Sequence, residues 1–227
     1  MAGHGAAFFD VDETLIRAKS MFSFLRFHLA RRGEPEGTYD RLTAPLHRGA
    51  AAGVPRQEIN RRYYRLYEGE SAAALADAGR AWFDEQCTLG GLFIEETVSR
   101  LQLHRATGDF VVLLSGSFAA CLDPVAEHVG ADWAIGTHPT IRRGTLTGEV
   151  VTPMIGAAKG RAAHAVAGVR GLDLAASTAY ADHSSDLDLL TAVGTAVVVG
   201  DDPVLTDQAV RRGWERLTPQ AHASLPF

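Results

Sequence analysis

The sequence predicts an α/β protein, a parallel sheet covered on both faces, with an all-helical block inserted after the first strand. Three observations carry that expectation. Short apolar runs at residues 6–9, 110–114, 178–181 and 196–199 read as strands buried on both sides. Helical patterns separate the later strands, and that alternation builds parallel sheets. Residues 20–88, in contrast, carry helical periodicity with no strand pattern.

Taken in order, Ala6–Phe9 is the first strand and ends in Asp10 and Asp12. Ser20 is placed to cap a helix through Phe22, Leu25 and Leu29 that Gly33 and Pro35 stop. Pro55 suits the start of a helix through Ile59, Tyr63 and Leu66 to Gly69. Ser71 caps a third helix through Leu75, Ala78, Trp82 and Phe83, and Gly90-Gly91 closes the block. A helix over 93–107 leads to the strand Phe110–Ser115, then a helix over 118–129. Asp132–Ile135 precedes a hairpin turning at Arg143-Gly144. A helix near 158–168, the strand Ser177–Asp182, a helix near 186–193, the strand Ala196–Gly200 and a helix near 203–213 complete the series. The expected division is a discontinuous core, residues 1–16 and 90–227, and a helical cap, residues 17–89.

The bulk numbers exclude several classes. A chain of 227 residues can bury a proper core, and 46% hydrophobic with 22% charged residues is ordinary for a soluble protein. A net charge of −5 weighs against nucleic acid as the partner. Cys87 and Cys121 form no CxxC, so neither a disulfide framework nor a thiolate zinc site is indicated. No run approaches 18 apolar residues and no leader pattern opens the chain, so the expectation is a soluble, cytoplasmic protein without a membrane partner. Oligomeric state stays open.

Chemistry concentrates where apolar strands end. Asp10 and Asp12 share a strand parity, so both point to one side of the strand terminus, and carboxylates that close repel unless a cation relieves them. Ser115 and Asp182 end two further strands. Parallel strands bring such ends to one edge of the sheet, where ligands of open α/β folds bind. Asp186 follows Asp182 by one helical turn. Lys159 is one of only two lysines, with Lys19, among 22 cationic residues. Carboxylates suit a hard metal such as Mg²⁺, while Ser115, the Gly116 amide and Lys159 suit a phosphate.

Asp10-Val-Asp-Glu-Thr14, Leu113-Leu-Ser-Gly-Ser117, Lys159 and Asp182-His-Ser-Ser-Asp186, in that order, resemble the four motifs of the haloacid dehalogenase superfamily. The spacing is similar to its phosphatase branch with a helical cap, which contains the phosphoserine phosphatases. The resemblance implies a three-layer Rossmann-like core and a Mg²⁺-dependent phosphatase acting on a small phosphorylated metabolite. Asp10 would be the nucleophile that forms an aspartyl-phosphate, and Asp12 the acid and base. Mg²⁺ would be held by Asp10, the Asp12 backbone carbonyl and Asp182, with Asp186 in support. Thr14 would orient the acid/base loop, and Ser115, Gly116 and Lys159 would bind the phosphoryl oxygens. A phosphotransferase passing the phosphoryl group to an acceptor alcohol, and a non-catalytic phosphate-binding module, are the alternatives.

Substrate selection is less legible. Phosphoserine phosphatases carry a glutamate where this chain has Lys19, and a cation there would repel an ammonium, which disfavours phosphoserine itself. Arg61, Arg62 and Arg65 offer a guanidinium for a carboxylate, or form a solvated helix face. Phe22, Phe24 and Phe27 either line the pocket or pack.

Overall fold

A computed structural model describes residues 4–220. Six parallel strands form one sheet in the order β3-β2-β1-β6-β7-β8. They are β1 (Ala6–Asp10), β2 (Phe110–Leu114), β3 (Trp133–Ile135), β6 (Thr178–Ala181), β7 (Thr195–Val199) and β8 (Glu215–Leu217). A separate antiparallel pair, β4 (Pro139–Arg142) and β5 (Thr145–Val150), turns at Arg143-Gly144 as the sequence predicts.

Strand β1 lies inside the sheet and alternates between two cores. Ala7 and Phe9 face one side, packed with Val111, Leu113 and residues of α5 (Glu95–Thr107) and α6 (Ala119–Val129). Ala6 and Phe8 face the other, packed with α7 (Ala157–Arg170), α8 (Leu187–Ala192) and α9 (Pro203–Arg212). Both phenylalanines are fully buried, each contributing about 1.5–3 kcal/mol. The three layers follow from strands apolar on both faces, and each crossover places a helix against one of them.

Between β1 and α5 run four helices: α1 (Ser20–Arg31), α2 (Thr38–Ala51), α3 (Arg56–Arg65) and α4 (Ala72–Leu89). The sequence reading anticipates three. Its missing member, α2, contains Pro45 and buries only Thr38, Thr43 and Leu46. Ser20 is the first residue of α1 rather than its cap; Lys19 occupies the cap position and makes no side-chain capping bond. Ser71 does cap α4, accepting from the Ala74 amide. Strand β8 also escapes the sequence reading, being three residues long with two of them exposed.

Helix α4 packs tightly on α6. A Cβ built on Gly79 would fall 1.8 Å from the Ala120 carbonyl oxygen, so only glycine permits that approach. No helix among the described residues is long and apolar enough to cross a membrane.

Candidate active site

Strands β2, β1 and β6 are neighbours, so their C-terminal ends bring Ser115, Asp10 and Asp182 together. Beyond β1 the chain coils on itself: the Thr14, Leu15 and Ile16 amides all donate to the Val11 carbonyl, and Glu13 takes a left-handed φ of 61°. A non-glycine residue held there is strained backbone, of the kind that clusters at functional sites. The coil is pinned from outside by the Thr97 hydroxyl, which donates to the Thr14 carbonyl at 2.6 Å.

Asp10 is buried. Its Oδ1 accepts from the Val11 amide at 2.7 Å and lies 2.7 Å from Lys159 Nζ, leaving the second oxygen outside these two bonds. The same ammonium donates to Asp186 Oδ2 at 2.8 Å. Lys159 sits in the first turn of α7 and Asp186 just before α8, so one lysine bridges the ends of two elements. Burial alone would lower the Lys159 ammonium. The two carboxylates outweigh it and hold Lys159 above the ordinary lysine range. Burial raises Asp10 despite Lys159, and pushes Asp186 up to about 6.

Asp10, Asp182 and Asp186 each bring a carboxylate oxygen within 4.8 Å of the others. Three carboxylates against one ammonium leave an uncompensated charge of the size a divalent cation neutralises. Among the described residues Asp186 Oδ1 is buried without a hydrogen-bond partner, so the pocket also holds an unsatisfied acceptor. An all-oxygen donor set of this kind fits a hard divalent metal. The Thr14 hydroxyl donates to Asp182 Oδ1 at 3.1 Å, so Thr14 steadies this cluster as well as the coil it belongs to.

The Asp12 carboxylate stands outside the cluster, beside Ser20. Burial pushes it up to about 7 although the Ser20 hydroxyl and amide pull it down. It is therefore an acid able to hold a proton near neutrality. Ser115, also buried, accepts from the Ser117 amide at 3.0 Å, which leaves its hydroxyl proton free to donate.

These residues line the floor of a cavity of about 1250 Å³ whose walls come from α1, α2, α3 and the end of α4. Lys19 reaches the cavity but is exposed and lies 3.3 Å from Glu13, so its charge is offset. Arg61, Arg62 and Arg65 do not line it; Arg62 pairs with Glu58 one helical turn earlier, and Arg56 is the α3 arginine that faces the cavity. Phe22 and Phe27 line the cavity, whereas Phe24 is fully buried against Tyr67, Trp82 and Phe118. His183, beside Asp182, accepts from the Ser185 amide at 2.9 Å and caps its own turn.

Two residues that sequence reasoning missed act on the Ser115-Gly116 turn. Asn60 Nδ2 donates to the Gly116 carbonyl at 2.8 Å, and the Tyr64 hydroxyl donates to the same oxygen at 3.1 Å. The available signal was a lone asparagine one helical turn before Tyr63 and Tyr64 on α3.

A family model of the haloacid dehalogenase-like hydrolases matches residues 7–191, from β1 to the end of α8. The chain belongs to this family. Phosphoserine phosphatase SerB1 of Mycobacterium tuberculosis (strain ATCC 25618 / H37Rv) is 31% identical over 218 residues, covering 92% of this chain and 69% of that protein. A protein of unknown function from Bordetella pertussis Tohama I has a similar crystal structure, with a TM-score of 0.85 at 25% identity over 95% of this chain and 99% of that one. A substrate-bound phosphoserine phosphatase shares the fold, with a TM-score of 0.65 at 18% identity over 92% of this chain and 91% of that one. This hydrolase thus brings Asp10, Ser115 and Asp182 together at adjacent strand ends, with an acidic cluster fit for a divalent metal.

Proposed function

We propose that the protein is a Mg²⁺-dependent phosphatase that hydrolyses a small phosphomonoester through an aspartyl-phosphate on Asp10. The observation that carries this reading is the Asp10 carboxylate, fixed at one oxygen by Lys159 and the Val11 amide beside the buried Asp186 and the partly buried Asp182. Asp10, the Asp12 main-chain carbonyl and Asp182 would hold the ion, with Asp186 close by. When bound, Mg²⁺ supplies the positive charge that keeps Asp10 ionised and lets a phosphate dianion approach it.

In the first step the free oxygen of Asp10 bonds to phosphorus as the ester P–O bond breaks, and protonated Asp12 gives its proton to the departing alcohol. In the second, Asp12 takes a proton from water as that water attacks the same phosphorus. The Asp10–phosphorus bond then breaks and inorganic phosphate leaves. The Ser115 hydroxyl, the Gly116 amide and the Lys159 ammonium offset charge on the phosphoryl oxygens throughout. Residues 1–16 and 90–227 would supply this chemistry, and residues 17–89 the cap that shapes the substrate cavity.

The test is phosphate release from a panel of phosphorylated metabolites with Mg²⁺, with EDTA, and with the Asp10→Asn variant. Mg²⁺-dependent release that the variant lacks supports the reading. Transfer to an added alcohol with little free phosphate would make the protein a phosphotransferase instead. Tight phosphate binding without turnover of any ester would make it a binding module.

A further inference from the structure

We propose that the alcohol half of the substrate carries a long apolar body, alkyl or aryl, seated against helices α1–α4; this rests on the phosphatase reading. The acids and the phosphate turn occupy only the cavity's floor. Above them rise Phe22 and Phe27 of α1, Leu46 and Ala50 of α2, Ile59 of α3 and Leu89 of α4. On α1 Phe22, Arg26, Phe27 and Ala30 are among the residues that line the cavity, at helical spacing, so one side of the helix is turned inward along its length. The same holds on α2 for Tyr39, Leu46 and Ala50.

Next to the phosphate turn Ile155 packs at Gly116, and Met21 stands beside Asn60, whose amide holds the Gly116 carbonyl. Of the cationic lining residues, the Arg26 guanidinium rests over the Tyr39 ring at 4.1 Å and Arg31 is exposed, while Lys19 and Arg56 stand at the acidic end, near Glu13 and His183. The cavity is larger than the roughly 300–1000 Å³ of typical small-ligand sites. A phosphate on a three-carbon polar head would fill little of it and would leave half-buried rings facing water. The apolar wall is continuous with the phosphoryl site, so a single molecule with a phosphate at one end and hydrocarbon at the other matches both.

The experiment is a series of n-alkyl phosphates, from ethyl to decyl and each below its micelle concentration, assayed with the full chain and Mg²⁺. Alongside it, calorimetry measures binding of the matching alkylphosphonates, which cannot be hydrolysed. The expected result is a rise in kcat/KM, and in phosphonate affinity, of about two- to fourfold per methylene until the cavity is full. In Ala50→Asp, a change on an exposed helix position facing the cavity, and in Phe27→Ser, that slope should flatten, with octyl phosphate losing at least fivefold relative to ethyl phosphate.

Hydrolysis of ethyl phosphate with no gain along the series, and a preference for phosphoserine or sugar phosphates, would overturn this inference while leaving the phosphatase intact. Phosphonate affinity that climbs with chain length without turnover of any ester would keep the apolar site and remove the hydrolase reading. Absence of both turnover and chain-length dependence would overturn both.

Discussion

Asp10 and Asp12 are two positions apart yet sit in different surroundings. Asp10 meets an ammonium and an amide, whereas Asp12 has a serine beside it and, among the described residues, makes no ion pair. The first is suited to attack as an anion, the second to deliver a proton. Asp10→Asn should cut turnover by at least a thousandfold while leaving the circular dichroism spectrum unchanged, because the amide is a poor nucleophile. Asp12→Asn should also be inactive, and it should be more stable than the wild type at alkaline pH. A carboxyl whose folded pKa is raised from 3.8 to about 7 penalises the fold as pH climbs from the first value through the second. The gain in Tm, measured in EDTA, should therefore widen from pH 5 to pH 8; a constant gap would show that Asp12 ionises freely in the folded protein. Asp10, Asp12, Ser115 and Asp182 could be picked out in the sequence because each follows a short apolar run, whereas Lys159, in the first turn of α7, stood out only as one of two lysines. Asn60 and Tyr64 could not be picked out, since their target, the Gly116 carbonyl, is more than fifty positions away.

Elements were legible in proportion to how much apolar surface they bury. The runs that became β1, β2, β6 and β7 are buried almost throughout and read plainly, whereas α2 and β8 sit at the periphery and bury little. Helix ends read unevenly: Ser71 caps α4 as expected, whereas Ser20 lies inside α1. Asp202 precedes α9 and accepts from the Val204 and Leu205 amides at 2.9 Å each. Burial works to raise its pKa, but hydrogen bonds from the Leu205 and Ser184 amides prevail and lower it. Asp202→Ala should cost about 1 kcal/mol at pH 7 by urea unfolding. That stabilisation is present above the ordinary aspartate value and fades as pH falls through the depressed one, so the two proteins should converge in acid. Gly79→Ala should cost about 1–3 kcal/mol, because the added methyl has nowhere to go between α4 and α6. Unchanged stability would mean that the two helices separate freely.

At the scale of the molecule, the three layers and the inserted helices follow from strand–helix alternation and were readable from periodicity. The cavity was not. Periodicity reveals that a helix has an apolar face but not whether protein or a hollow lies opposite, which is why Phe22, Phe24 and Phe27 could not be sorted without coordinates. The acidic cluster is a property of the assembled fold, as Asp10 comes from one segment and Asp182 and Asp186 from another far along the chain. Mg²⁺ at a hundred times its dissociation constant should raise stability by about 2.7 kcal/mol, read as a shift in Tm that EDTA reverses. Asp182→Ala should abolish most of that shift.

The floor of the cavity is drawn from strand ends and its walls from helices α1–α4, two sets of positions that scarcely overlap in the chain. Inherited changes on α2 can therefore remodel what is accepted without disturbing how it is cleaved. One junction breaks that independence. Through Asn60 and Tyr64, α3 holds the carbonyl of Gly116, so a lineage drifting at these two positions would alter preference and rate together.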